Sequence, residues 1–302
     1  RVPGVRFAVL ALGKLGAREM TAASDLDLVF VYDAEAPAYD GKAPLPASTY
    51  YGRLSQRLIA ALSAPTAYGV LYEVDMRLRP SGVQGPIASS LKGFTDYEQK
   101  DAWTFEHMAL TKSRVVAGDE ALATALRETI RSLMVAPRDA QKVINDVADL
   151  RRRVSQEHGT ADPLRIKFVR GGLLDLEFLA QAHELVSATV HPEVLQADTA
   201  RAFDALGAAG ALPGEVAARL GRATLLQRNV QAWLRACIRE EPDSDSVAPA
   251  LLEAAARAAG TTSTRQLLAD LVQTQAWVYE IFKQRIEDAA SHDEAATTRN
   301  TL

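Results

Sequence analysis

Asp25 and Asp27 stand two residues apart at the head of an apolar run, Leu26 to Tyr32. If that run is a strand, the two side chains share one face with their Cα atoms roughly 6–7 Å apart. Carboxylates aimed the same way repel each other unless a positive charge lies between them. A divalent metal is the usual answer, and aspartate oxygens beside phosphate suit Mg²⁺. Just upstream, Gly13-Lys14-Leu15-Gly16-Ala17-Arg18-Glu19 follows a second apolar run, Phe7 to Leu12. Glycines in such a turn let backbone N–H groups come close to phosphate oxygens. A third carboxylate, Asp75, lies on an alternating stretch from Val70 to Leu78. There Val70, Tyr72, Val74, Met76 and Leu78 take one face; Leu71, Glu73, Asp75, Arg77 and Arg79 take the other. If this stretch pairs near the Asp25/Asp27 strand, three carboxylates converge, enough for two metals that clamp the attacking and leaving oxygens of a phosphoryl displacement. Lys14, Arg77 and Arg79 offset the charge of a triphosphate. Each part alone also reads as an ordinary turn, a cap or solvated edge charges. In this order they point to nucleotidyl transfer from a nucleoside triphosphate, with pyrophosphate leaving.

The elements that must position these residues can be read in turn. Phe7–Leu12 and Leu26–Tyr32 are the first strands, and residues 33–46 form a loop. Ser48 to Ser63 carries Tyr51, Leu54, Leu58, Ile59 and Leu62 on one helical stripe, ended by Pro65 and Gly69. The alternating strand 70–78 closes at Pro80-Ser81-Gly82, and a loop runs to Pro86. Asp101 to Ala117 reads as a helix with Gly118 as its cap. Residues 1–118 therefore form a mixed α/β domain. From Asp119 the strand signals vanish. Helix periodicity fills 119–135, 139–158, 173–189, 198–208, 213–240, 247–259 and 263–289, which predicts an all-helical bundle over 119–302 with a frayed tail from Ser291.

Composition narrows the field. The 302 residues suit one large domain or two ordinary ones, and 48% are apolar, enough for a sizeable core. A net charge of −4 argues against a broad nucleic-acid footprint. The single cysteine, Cys237, excludes an intrachain disulfide and a cysteine zinc site; its helical setting predicts a buried or half-buried side chain. A reducing, cytoplasmic setting fits. No apolar run reaches membrane-span length and no signal peptide is visible. The start at Arg1, almost directly into a strand, predicts a segment of a longer protein.

The ordered motifs Gly13-Lys14-Leu15-Gly16, Ser24-Asp25-Leu26-Asp27-Leu28 and Leu71-Tyr72-Glu73-Val74-Asp75-Met76-Arg77-Leu78-Arg79-Pro80-Ser81-Gly82 resemble the glutamine synthetase adenylyltransferase family. Further matches are Asp101-Ala102-Trp103-Thr104-Phe105-Glu106-His107, Lys112 to Gly118, Lys167, and Gly171-Gly172-Leu173-Leu174-Asp175-Leu176-Glu177-Phe178, so the resemblance reaches into the helical part. It implies an α+β fold: a polymerase-β-like nucleotidyltransferase domain, a small mixed sheet with helices, followed by the helical bundle. Proteins of this family have two related heads. One transfers AMP from ATP to a tyrosine of glutamine synthetase, lowering nitrogen assimilation, and the other removes it by phosphorolysis. Tyr72 to Asp75 and Ala102 to His107 resemble the carboxy-terminal, adenylylating head. The resemblance implies Asp25, Asp27 and Asp75 as catalytic Mg²⁺ ligands, Asp75 also assisting deprotonation of the tyrosine, and Gly13, Gly16 and Ser24 as the cradle for ATP. It further implies glutamine synthetase as partner, and the PII signalling protein and glutamine as effectors. Ala17 departs from the Gly-Ser of many nucleotidyltransferases, so no hydroxyl is offered there. Phosphorolytic removal of AMP, and a silent nucleotide-binding regulatory module, are the alternative readings.

Other conspicuous residues have plainer expectations. Gly171-Gly172 with Asp175 and Glu177 reads as a helix start, or as a loop reaching the nucleotide. Trp103 and Glu106 read as packing plus a salt bridge to the arginines near Asp75. The histidines are too scattered for a zinc set and read as surface or capping residues. Arg151-Arg152-Arg153 reads as a solvated helix face.

Overall fold

The computed structural model describes residues 5–22, 24–34, 38–39, 44–67, 69–238 and 242–290. The expected frayed tail lies outside them, as does part of the 33–46 loop. The chain divides into two compact units, Arg1–Met20 with Ser24–Ala136, and Thr21–Ala23 with Pro137–Leu302.

The first unit is built on β1 (Val5–Ala11) and β2 (Leu26–Ala34), antiparallel with Phe7 opposite Tyr32, Val9 opposite Phe30 and Ala11 opposite Leu28. Between them lies the one-turn helix α1 (Gly13–Ala17). A two-residue ladder, β3 (Ala38–Tyr39) and β4 (Pro44–Leu45), leads into helix α2 (Ala47–Leu62). Phe7, Val9, Leu28, Phe30 and Tyr32 form a cluster around the fully buried Tyr51 of α2, with Phe7 and Tyr32 rings stacked on Tyr51 at centroid distances of 5.6 and 4.5 Å. The alternate residues Ala8, Leu10, Val29 and Val31 are buried on the other face. Burial on both faces is why these two strands read as continuous apolar runs rather than alternating ones.

Two short strands add to the far edge of β2, both parallel to it: β5 (Val74–Asp75) and β6 (Ala88–Ser90). The strand expected over 70–78 shrinks to two residues. Its ends are drawn away: Val70 and Leu71 are exposed, and Arg79 folds 76–85 into a turn by donating to backbone carbonyls. Two elements then follow that alternation and helix spacing did not reveal, β6 and helix α3 (Leu91–Lys100), capped by the Ser90 hydroxyl on the Gly93 N–H. The helix expected over 101–117 is a correction. Helix α4 spans only Thr104–Thr111, and β7 (Arg114–Gly118) leaves it to pair antiparallel with β1. Gly118 is not a helix cap. At φ 134 it ends β7, where a Cβ would lie 2.3 Å from the Phe7 carbonyl oxygen. Helix α5 (Glu120–Val135), capped by Asp119, packs on β1, β7 and the helices of this first unit, so the unit extends past residue 118 to Ala136.

The second unit holds α6 (Ala140–His158), α7 (Leu173–Ser187), α8 (Thr199–Ala208), α9 (Gly214–Cys237), α10 (Pro249–Ala258) and α11 (Thr264–Phe282), the last continued by a π turn over Lys283–Glu287. α7 is buried nearly all round and is the centre of the bundle. Arg151 corrects one expectation: it is fully buried, and only Arg152 and Arg153 of the triplet are exposed. Its Nε donates to Asp175, its Nη1 to Ser155 Oγ at 2.6 Å and its Nη2 to the Phe168 carbonyl at 3.0 Å. Asp175 also accepts from the Gly171 N–H and from Arg170, which itself reaches Glu287 at 2.6 Å. Asp175 is thus spent at a helix start inside this unit. Gly171, at φ 74, has no room for a Cβ, which would lie 1.7 Å from the Gln275 carbonyl oxygen. Cys237 is exposed, contrary to its helical setting. His183 is no surface residue: its Nε2 is buried without a hydrogen bond, and burial, then the charge of Arg285, lowers its pKa to about 4. Among the described residues no helix is long and apolar enough to cross a membrane.

Removing one partner of a buried ion pair strands the other charge. Arg151→Met should lower stability by about 3 kcal/mol or more in urea unfolding; a loss under about 1 kcal/mol would mean that Arg170 and the Gly171 N–H satisfy Asp175 alone.

Candidate active site

The site grows from the register of β2 and β5. Leu26 lies beside Val74 and Asp27 beside Asp75, on parallel neighbouring strands. The Leu26 N–H donates to the Glu73 carbonyl at 2.8 Å, and the Asp27 carbonyl accepts from the Leu12 N–H at 2.9 Å. The two carboxylates are therefore fixed by backbone pairing on both sides of β2. Gly13 opens α1 directly against them. At φ 51 it adopts a conformation that L residues avoid, and a Cβ there would lie 2.3 Å from Asp27 Oδ2. The Asp27 carboxylate fits against the start of α1 because residue 13 has no side chain.

Gly16 is required for a different reason. A Cβ on it would lie 1.9 Å from the Lys112 carbonyl oxygen, so it lets α1 settle against the end of α4. Lys14 is half-buried on α1, and its carbonyl accepts from the Glu19 N–H at 2.8 Å. Ser24 is buried, whereas Asp25 is exposed just ahead of β2. Among the described residues no three His, Cys, Asp or Glu side chains gather into a ready metal cluster. Backbone register sets Asp27 beside Asp75, and Asp25 stands exposed two residues ahead of Asp27.

Arg77 supplies the positive charge. Its Nε and backbone N–H each donate to Asp75 at 2.8 Å, and its side chain is 77% exposed against 14% for Asp75. Burial alone would raise the Asp75 pKa; the Arg77 hydrogen bonds and charge, with Arg79 behind them, outweigh it and hold the carboxyl below its ordinary value. The Arg77 pKa is raised, by the bond to Asp75 first, and Asp27 and Asp25 add to it. These three carboxylates therefore act on one guanidinium. Arg79 sits differently. Its guanidinium donates to the carbonyls of Met76, Val83 and Gly85 at 2.7, 3.2 and 3.3 Å, bracing the turn that follows Asp75.

Sequence reasoning missed several supporting residues. Arg114 donates to the Leu15 and Gly16 carbonyls at 2.6 and 3.0 Å, capping the carboxyl end of α1. Lys112 pairs with Glu19 at 3.4 Å, both buried. Reading 101–117 as one helix hid them, because it gives no sign that the chain turns at Ser113 and brings Lys112 and Arg114 against α1. Glu106 forms no bridge to the arginines. It accepts from the Trp103 N–H and from the Tyr97 hydroxyl, each at 2.8 Å. His107 Nε2 contacts the Glu98 carbonyl at 2.9 Å.

A small mixed sheet carrying paired aspartates beside a glycine turn, followed by a helical unit, is the fold of a nucleotidyltransferase. Comparison with known proteins agrees with this class. Residues 2–129 match the family model described as glutamate-ammonia ligase adenylyltransferase, and residues 121–286 match that of GlnD PII-uridylyltransferase. Similar curated proteins are the bifunctional glutamine synthetase adenylyltransferase/adenylyl-removing enzymes of Rhodopseudomonas palustris strain TIE-1, 42% identical over 96% of this chain, and of Bradyrhizobium sp. strain BTAi1, 41% identical over 95%. That of Xanthobacter autotrophicus strain Py2 is 42% identical over 96%. The chain spans 29 to 30% of the length of these relatives. It belongs to the glutamate-ammonia ligase adenylyltransferase family, with a helical unit of the kind matched by the PII-uridylyltransferase model.

Glu98, buried beside this site's helices, gives a test in pH. Burial, then the charge of Glu106, raises its pKa from 4.5 to about 8, and its Oε2 has no hydrogen bond. The stability it contributes is present below pH 4.5, and is lost as pH rises through about 8. Glu98→Gln should therefore gain in melting temperature over the unaltered chain across that window, with little difference at pH 4. Parallel melting curves from pH 4 to 9 would contradict the assignment.

Proposed function

We propose that this chain transfers AMP from ATP to a tyrosine hydroxyl of glutamine synthetase, with pyrophosphate as the leaving group. The observation that carries the reading is the register of Asp27 with Asp75 against Gly13, in a chain of this family.

The family implies a divalent cation, and the residues fit one. Asp27 and Asp75 offer hard oxygen donors on neighbouring strands, Gly13 leaves room for the Asp27 carboxylate against α1, and Arg77 already brings positive charge to Asp75. In this reading Asp27 and Asp75 hold Mg²⁺, with Asp25 at the rim as a further ligand. When bound, the ion neutralises charge on the triphosphate and on the oxygen that attacks it. The chain's own groups do the rest. The Gly13–Gly16 turn, with Ser24 behind it, receives the phosphates. Lys14 adds charge, and the exposed Arg77 is free to swing from Asp75 toward the pyrophosphate. Arg79 keeps the turn in place. A tyrosine hydroxyl has a pKa near 10, so a base must take its proton as the O–P bond forms. In this reading Asp75 takes that role.

The names of the relatives include adenylyl removal, and phosphorolysis runs the same displacement at the same phosphorus with phosphate as acceptor. The motif pattern over Tyr72 to His107 favours addition. The match of residues 121–286 to a PII-uridylyltransferase model supports the PII protein as an effector acting on the whole protein; glutamine as a second effector rests on the family resemblance alone.

Incubation with glutamine synthetase, Mg²⁺ and ATP labelled in the α-phosphate should move label to the synthetase. Asp27→Asn should cut that rate by about 100-fold or more, as expected when a charge-stabilising group is lost. Melting temperature should hold or rise, since a repulsion is also removed. Gly13→Ala should be comparably slow, because its Cβ displaces the Asp27 carboxylate. Equal rates for all three chains would refute the reading. Release of ADP from adenylylated synthetase and phosphate, with no forward labelling, would assign the removing reaction instead.

A further inference from the structure

β5 forms an outer edge of the sheet. One side of it pairs with β2, and among the described residues no strand pairs with its other side. The Leu26 N–H donates to the Glu73 carbonyl, so residues 73 and 75 direct their backbone groups toward β2. Neighbouring residues of a strand direct theirs oppositely, so the N–H and carbonyl of Val74 face outward.

The side chains alternate over the same stretch. Tyr72, Val74 and Met76 pack against the core cluster. Leu71, Glu73, Asp75 and Arg77 therefore take the other face. Leu71 is 72% exposed there, about 13 Å from Asp75 at the rise of an extended chain. Val70 beside it is also exposed. Outer strands are commonly guarded against pairing by lysine, proline or a bulge. Residues 70–75, Val-Leu-Tyr-Glu-Val-Asp, hold neither lysine nor proline. An unguarded edge with an exposed leucine thus runs directly up to one of the two paired carboxylates.

The acceptor of the reaction proposed above is a protein. Its tyrosine reaches Asp75 only together with the backbone that carries it. An added strand lies about 4.8 Å from its neighbour. A tyrosine on such a strand, in register with Asp75, stands on the same face as Asp75 and Asp27, the next member of a row across three strands. Main-chain bonds to Val74 supply affinity in this mode of recognition, and side-chain contacts supply selectivity.

We propose that 70–75 is the edge on which the acceptor docks: the segment of glutamine synthetase that carries the modified tyrosine adds to β5 as a further strand, with Leu71 as its apolar anchor. The choice of partner rests on the adenylyl-transfer reading above.

Hydrogen exchange followed by mass spectrometry on the whole chain reads the peptide covering 70–76, with and without glutamine synthetase in its unmodified and adenylylated forms. Exchange there should slow about tenfold when the synthetase is added, the equivalent of one net hydrogen bond, while peptides from β7 stay as they were. Leu71→Asp places a charge at the anchor. Its melting temperature should hold, because the side chain already stands in water. In the transfer assay its KM for the synthetase should rise about tenfold while kcat and KM for ATP hold, the mark of binding lost equally in ground and transition states. Unchanged exchange over 70–76 would overturn the proposal, as would an unchanged KM for the synthetase in Leu71→Asp. Slowing that grows with the concentration of this chain by itself would give the edge to a second copy and overturn it too. If the unaltered chain moves AMP in neither direction, the adenylyl-transfer reading fails, and the exchange measurement decides separately: 70–76 protected by the synthetase keeps the docking edge, and 70–76 unprotected removes it.

Discussion

Two carboxylates held one strand apart impose conditions on everything near them. Neighbouring strands lie about 4.8 Å apart, and at that distance two like charges cost on the order of 3 kcal/mol in a partly screened setting. The sheet tolerates Asp27 beside Asp75 because backbone pairing on both sides of β2 leaves neither strand free to slip. The charge is then met from outside the sheet. Arg77 leans back over Asp75, and Gly13 leaves room for the Asp27 carboxylate to lie against α1. The arrangement is balanced but not closed, since the Arg77 side chain remains largely in water. A group so placed can be exchanged for another cation at small cost.

The backbone bears strain at two points that flank this pair. Arg18 and Ser81 are the non-glycine residues at positive φ among the described ones, at 62 and 61°. Arg18 ends α1 ahead of Asp25, and Ser81 closes the turn after Asp75. Each lies where the chain must reverse within a few residues to bring a functional side chain back to β2. Strain of this kind is held in place by neighbours: the carboxyl end of α1 by Arg114, the Ser81 turn by Arg79. Of these supports Arg79 is local to Asp75, whereas Arg114 comes from a strand far along the chain from Asp25 and Asp27.

That distance explains what could be read from the chain alone. Asp25, Asp27, Asp75 and the glycines were legible because their chemistry is local: residue type and spacing of two or three positions state it. The helices after residue 139 were legible from their periodicity and from the glycines and prolines that separate them, and Asp139, Asp198 and Ser263 cap the starts of three. β7 was not, since Arg114 to Gly118 has helix-compatible neighbours and becomes a strand only through pairing with β1. β5 was overread, because alternation over 70–78 promises more pairing than one edge of β2, shared with β6, can supply. The buried Arg151 was misread for a related reason: its partner Asp175 lies on another helix, and nothing in a run of three arginines marks the one that turns inward.

β7 also has a bearing on how the protein behaves in a crowded solution. It is the outer strand of the sheet on the side of β1, and outer strands carry unpaired N–H and carbonyl groups that can recruit another chain. Here the exposed rail is five residues long. It begins with an arginine whose guanidinium is committed to α1, and it stops at a glycine turned out of the extended conformation. Asp119 then puts a negative charge and a helix start directly beyond it. So short a rail, charged at both ends, gives an incoming strand too little to hold, and the sheet stays closed to addition on that side.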